Sequence, residues 1–401
     1  MLSFERAQAL LIEAGEAPAG AERVGLGQAR GRVLAQAFMA SLDMPPADNS
    51  SMDGYAIRGV DWRPDAVLPV QQRCYAGDEP QPLKPGCATR LFTGSLMPAG
   101  ADTIVIQENC VESPQGVRIL EPGQAGQYIR RRAEDVAAGS CLLEAGVVLG
   151  AAELALLAAQ GATTVSVRPQ LRIGILTTGD EIVAPGAPIA THQIYNSNAP
   201  LLASLIEGIG AQVSLSMHAR DDADELAAAL SRLAACSDIV LSAGGVSVGE
   251  RDLVKPVLES LGGELALWKV RMKPGKPVAL GRVQGCPVVC LPGNPVSVFA
   301  VFTVLVSPML RRMQGRTGLL PVVHSAVLRA RTAYGDSRTE FLRVQAQPDE
   351  QGRICIVPHA GQSSGIMSAL PWATGLARVP AGEQRVDGDV LEYYDFRHWL
   401  K

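Results

Sequence analysis

The sequence predicts a multidomain α/β plus β protein: a three-layer α/β domain with a mostly parallel sheet, an inserted small β-rich domain, a helical linking region and a C-terminal β-barrel-like domain. Three observations predict it. At 401 residues the chain exceeds what one hydrophobic core usually serves. From Leu171 onward, strand-like and helix-like blocks alternate in the rhythm of a parallel sheet covered by helices. On both sides of that block, short strand-like pieces are broken by Gly, Pro and Asp.

Taken in order, residues 1–40 read as two helices and Gly146 to Gly161 as a third, which gives a linking region over 1–41 and 147–170. Residues 42–146 form the inserted β-rich domain, with pieces such as Thr103 to Gln107 and Val117 to Leu120. In the α/β domain, 171–318, strands are expected at Arg172 to Leu176, Gln212 to Met217, Asp238 to Ser242, Leu265 to Val270 and Val288 to Leu291. Helices are expected near Ala199 to Ile209, Ala223 to Ala235, Val254 to Leu261 and Val296 to Met313, with Asn198, Asp221 and Asn294 at cap positions. VVHSAVLRA, EFLRVQAQ and RICIVPHA then build the closing β-domain, 319–401.

Composition narrows the function. Hydrophobic residues at 47% with charged residues at 19% describe a globular chain with ample core material. A net charge of -4 argues against a broad phosphate-backbone interface, and 4% aromatic content leaves few stacking platforms for single strands, so no nucleic-acid partner is expected. The eight cysteines form no C-x-x-C pair and the five histidines no H-E-x-x-H spacing, which disfavours a zinc hydrolase. Cys286 and Cys290 flank an apolar strand and read as buried thiols. The start, MLSFERAQALLIEAG, lacks the form of a secretory signal, and the apolar run Val296 to Val306 is too short for a bilayer. A cytoplasmic protein with no membrane partner is the expectation.

Ligands of open parallel sheets bind beyond the carboxyl ends of the strands. Three polar loops fall there: TTGDEI with Glu181, SAGGVSVGERD with Gly244, Gly245, Ser247 and Asp252, and LPGNPVS with Pro292, Asn294 and Pro295 leading into a helix. Each alone also reads as an ordinary turn or cap. Neither a Walker P-loop nor a clean G-x-G-x-x-G is present. KVRMKPGKP places Lys269, Arg271, Lys273 and Lys276 within eight positions, either a solvated face or a clamp for a dianion. Far upstream, PADNSSMDGYAIR crowds Asp48, Asn49, Ser50, Ser51 and Asp53 together, either as an Asx-rich turn or as part of a site.

Together DNSSMDGYAIR, FTGSLMPAGADTIVIQE, YIRRRAEDV, LTTGDEI with IYNSN, SAGGVSVGERD, KVRMKPGKPVALG and LPGNPVSVF resemble the molybdopterin molybdotransferases, the family of bacterial MoeA and the gephyrin E domain, over nearly the whole chain. Ala133 departs from the glycine usual before the Glu-Asp pair, and GQSSGIMSALPWATGL matches only loosely, so no role is assigned to it.

The resemblance implies insertion of molybdenum from molybdate into adenylylated molybdopterin, releasing AMP and yielding molybdenum cofactor, assisted by a divalent cation such as Mg²⁺. It implies that Lys273, Lys276 and Arg132 hold the anionic substrates, with Thr93, Lys269, Gly244, Gly245, Ser247, Pro292, Asn294 and Pro295 also on the binding surface. Asp53, Asp135, Glu181, Asp221 and Asp252 become the catalytic carboxylates, with Glu181, Asp221 and Asp252 the metal ligands. It also implies a homodimer in which the α/β domain of one subunit faces the Asp53 region of the other, and transient contact with other molybdenum-cofactor biosynthesis proteins. Two alternatives stand beside it: a molybdopterin adenylyltransferase, resembling the α/β domain alone, and a non-catalytic molybdopterin-binding scaffold.

Overall fold

The structure, a computed structural model, describes residues 1–17, 19–246 and 253–400. The chain divides into two compact units: Ala37–Glu144 with Ala155–Ala162, and Met1–Gln36 with Ala145–Leu154 and Thr163–Lys401.

The larger unit is built on a six-stranded sheet in the order Gln212–Ala219, Arg172–Thr178, Ile239–Ala243, Cys286–Leu291, Ala279–Val283, Leu267–Trp268. The first four strands are parallel and the last two join antiparallel. Side chains alternate across the sheet, so Leu241 and Val289 enter one core while Val240 and Val288 enter a second on the opposite face. Burial on both faces is why these strands read as continuous apolar runs. The helices Asn198–Gly208, Ala223–Cys236 and Val254–Ser260 lie between strands in sequence, close to their expected places.

The caps differ from expectation by a residue or by mechanism. Asp222, rather than Asp221, caps Ala223–Cys236 by accepting from the N–H groups of Asp224 and Glu225. Asn198 lies inside its helix, where Asn196 Oδ1 accepts from Ala199 N at 3.1 Å. Asn294 holds the cap position without a side-chain cap bond. In the first two cases a polar neighbour takes the backbone donors, which composition alone does not resolve.

The apolar helix runs from Pro295 through a π-helical stretch at Phe302–Val306 to Met313. Thr303 Oγ1 and Ser307 Oγ each donate to the carbonyl four residues back. The whole helix, at 19 residues, extends beyond the run Val296 to Val306 and is by length and composition long and apolar enough to cross a bilayer, but 89% of its most apolar stretch is buried inside the protein. It is a core helix, packed with the N-terminal helix Phe4–Ala14.

The C-terminal strands His324–Leu328, Thr339–Pro348, Ile354–Pro358, Gly375–Val379 and Val390–Asp395 close into a five-stranded barrel, because Thr339–Pro348 pairs with both Ile354–Pro358 and Gly375–Val379. Leu328, Leu342, Ile356 and Tyr393 fill it. Closure removes the exposed edges that an open sheet would leave.

The second expected helix within residues 1–40 does not form. Glu22–Gly25 is a strand paired with Thr164–Val167, followed by a single 3₁₀ turn, Leu26–Gln28. Gly25, Gly27 and Gly31 each disfavour a helix there by about 1 kcal/mol relative to alanine. In the smaller unit, Gly54–Ile57 lies between Ala88–Leu91 and Thr103–Ile106 in a four-stranded sheet, and Gly116–Ile119 between Val67–Leu68 and Cys110–Ser113 in a three-stranded one.

Candidate functional site

One cavity of about 770 Å³ opens in the larger unit at the carboxyl ends of the parallel strands. Glu181, Asp221, Gly244, Gly245, Lys273, Lys276, Pro292, Asn294 and Pro295 all line it, so the sheet-end loops and the Lys-Pro-Gly-Lys segment meet at one place. The glycine pair is there for backbone geometry. Gly244 has φ +105°, and a Cβ on it would sit 2.6 Å from the carbonyl oxygen of Thr178.

The acidic side of the cavity is Glu181, which is exposed, and Asp221, whose Oδ1 accepts from Thr178 Oγ1 at 2.9 Å. The cationic side is a network. Lys273 Nζ lies 2.8 Å from Glu340 and 3.3 Å from Asp336, and Arg338 Nε lies 3.0 Å from the same Asp336. Arg338 and Lys273 hold the Asp336 carboxyl well below the usual carboxylate range, and Glu340 raises the Lys273 ammonium. Lys276 is exposed on the same wall and makes no ion pair among the described residues.

Several lining residues escaped the sequence reading. Asn198 is 4% exposed, with Nδ2 donating to Gly293 O at 2.7 Å and Oδ1 left without a partner among the described residues. Arg338 and Gln362 to Ser364 enter from the C-terminal barrel, where Asn294 Nδ2 donates to Ser364 Oγ at 3.1 Å. The buried Arg343 guanidinium shapes that segment by donating to Gly361 O and Ser363 O. The signal was present: a Gln-Ser-Ser run between glycines just after a strand is a loop able to offer hydroxyls.

Other expectations change. Lys269 does not line the cavity; its backbone pairs with Leu2 and Val278. Ser247 and Asp252 lie outside the described residues. Among those described, no three His, Cys, Asp or Glu side chains cluster as metal ligands. Cys286 and Cys290 are buried, and burial pushes their thiols up to about 11 and about 12, which keeps them inert.

Asp53, Thr93, Arg132 and Asp135 belong to the smaller unit. Asp53 Oδ1 accepts from Thr93 N at 2.8 Å and Thr93 Oγ1 at 2.9 Å, bonds that hold its carboxyl below the ordinary range. Its Oδ2 accepts no hydrogen bond among the described residues. Asp48 has both oxygens engaged, by Arg131 Nη1 at 2.7 Å and by Arg132 N at 2.8 Å. Arg132 is paired with Asp43, and its side chain stays exposed. Asp135 is exposed, and only its backbone, donating to Met44 O, is anchored. Ala133 carries φ +60°, the left-handed conformation for which glycine is best suited.

Family models match in chain order: MoeA N-terminal region (domain I and II) over residues 2–161, a probable molybdopterin binding domain over 174–312, and MoeA C-terminal region (domain IV) over 325–396. The chain is 34% identical to the molybdopterin molybdenumtransferase of Haemophilus influenzae across 92% of each chain. It is 37% identical to molybdopterin molybdenumtransferase 2 of Mycobacterium tuberculosis, covering 93% of this chain and 94% of that one. Among solved structures, a molybdopterin biosynthesis MoeA protein from Pyrococcus horikoshii superposes with TM-score 0.84 at 27% identity, over 98% of this chain and 100% of that one. The chain belongs to the MoeA family.

Proposed function

We propose that this chain is a molybdopterin molybdenumtransferase of molybdenum cofactor biosynthesis, which inserts molybdenum from molybdate into adenylylated molybdopterin and releases AMP. The observation that carries the reading is the cavity itself. Its lining combines Glu181 and Asp221 with Lys273, Lys276 and Arg338, around a volume large enough for a dinucleotide-sized anion. The relatives named as transferases align with both flanking regions as well as the α/β domain, which disfavours an adenylyltransferase built on the latter alone. Carboxylates and a lysine without an ion pair among the described residues, lining one cavity together, disfavour an inert scaffold, which has no need of them.

In this reading Lys276 meets the anionic substrates directly, while Lys273 and Arg338 do so through the field of a network already anchored on Asp336 and Glu340. Glu181 and Asp221 position water or pass protons to the oxo groups that leave molybdenum as water. The same two carboxylates suit Mg²⁺, which is commonly held by one or two carboxylates together with substrate phosphates. When bound, that ion supplies charge neutralisation at the phosphoanhydride. Asp53, ionised and with Oδ2 accepting no hydrogen bond among the described residues, adds a further acceptor. A cytoplasmic homodimer with a shared active site, in transient contact with other molybdenum-cofactor proteins, completes the proposal.

The test combines purified protein with adenylylated molybdopterin, molybdate and Mg²⁺. Molybdate-dependent AMP release is the expected result, and its absence would refute the assignment. Rescue of activity on mixing Asp53→Asn and Lys276→Ala subunits is expected if subunits share the site.

A further inference from the structure

Tyr195 supplies the one aromatic ring among the described residues that line the cavity. It ends the short strand Ile194–Tyr195, which pairs in parallel with Ile182–Val183, and the residue is 45% exposed. The ring is not loose. Its hydroxyl donates to Ala187 O at 3.1 Å, and its chain neighbours are fixed by Ile194 N donating to Glu181 O and Asn196 N donating to Val183 O, each at 2.8 Å. Ile182 and Ile194 line the cavity with it, adding apolar surface to a lining that also carries Lys273, Lys276 and Arg338. By contrast, the adjoining Asn196 and Asn198 are at least nine-tenths buried and carry amides.

We infer that Tyr195 is the stacking platform for the adenine of the adenylylated substrate. The inference rests on the molybdenumtransferase reading and deepens it. The substrate has two flat heterocycles joined through phosphates. A deep pocket edged with buried amides suits the heterocycle rich in donors and acceptors, whereas a half-exposed ring suits the base that departs with AMP. A ring held at its hydroxyl loses little freedom on stacking, so the contact adds affinity without a large ordering cost. Base stacking tolerates any flat base, so the platform confers affinity for a nucleotide, and the cationic wall answers the phosphate.

The test titrates AMP, ribose 5-phosphate and pterin-6-carboxylate separately into the full-length protein and its Tyr195→Ala and Tyr195→Phe variants. Tyr195→Ala is expected to weaken AMP about tenfold or more while leaving ribose 5-phosphate within twofold, with Tyr195→Phe close to the unsubstituted protein. The inference is overturned if Tyr195→Ala binds AMP within twofold of the unsubstituted protein, loses AMP and ribose 5-phosphate equally, or loses pterin-6-carboxylate instead. If the unsubstituted protein neither binds AMP nor releases it in a molybdate-dependent way, the functional assignment falls, and this inference with it.

Discussion

The two units meet the problem of clustered charge differently. In the smaller one, the segment dense in polar residues is largely self-satisfied: Asp48 is closed by Arg131 and Arg132 N, Arg132 by Asp43, and Glu134 Oε2 by Arg131 N. Asp53 keeps one oxygen without a hydrogen bond among the described residues. In the larger unit, Lys273 and Arg338 are tied to Asp336 and Glu340, and Lys276 alone of those three cations has no acidic partner among the described residues. The difference teaches that motif density marks a neighbourhood, and that a charge without an internal partner marks the residue available to a ligand. Exposed ion pairs contribute little to stability, so their presence organises turns more than it holds the fold.

That contrast can be broken by substitution. The largest effect is expected at Lys276→Ala, about a 100-fold loss of molybdate-dependent AMP release, the scale of removing a charged donor from a site that stabilises anions. Thermal stability measured beside it should stay unchanged, because the Lys276 side chain holds no partner among the described residues.

Asp53→Asn comes next. The amide oxygen can still accept from Thr93, so the fold should persist while the negative charge is lost, and turnover should fall about tenfold. A rate equal to that of the unsubstituted protein would place Asp53 among the turn formers with Asp48.

The cationic network makes a prediction in pH. The Asp336 carboxyl is depressed in the folded state by Arg338 and Lys273. Its contribution is therefore fully present above the unfolded carboxylate value, about pH 4, and is lost as pH falls through the depressed folded value. Chemical denaturation across pH should show stability declining below about pH 4, and Asp336→Asn should flatten part of that decline.

The smallest effect is at Ala133. A left-handed alanine costs about 1 kcal/mol, partly offset by the greater unfolded-state freedom of glycine, so Ala133→Gly should stabilise the protein by about 0.5 kcal/mol in a urea titration.

Legibility in sequence followed the range of the interactions. The parallel strands from Arg172 onward and their loops were readable because burial on both faces writes itself as apolar runs, and connections end in glycine and proline. The cap positions slipped because Asp222 and Asn196 sit beside the residues expected, and local chemistry does not choose between them. Arg132 looked available because Asp43 is 89 positions away, and the contribution of Gln362 to Ser364 was hidden because only barrel closure brings that loop to the cavity. Lys269 illustrates the opposite error, a charge counted by spacing whose side chain does not line the cavity.

The most direct test compares Lys276→Ala with Arg132→Ala in one assay of molybdate-dependent AMP release. Both remove a cation that the motif pattern treats alike. Loss of about 100-fold for Lys276→Ala against a change within about threefold for Arg132→Ala is the predicted result. Equal losses, or a greater loss for Arg132→Ala, would contradict the claim that an unpartnered charge identifies the site.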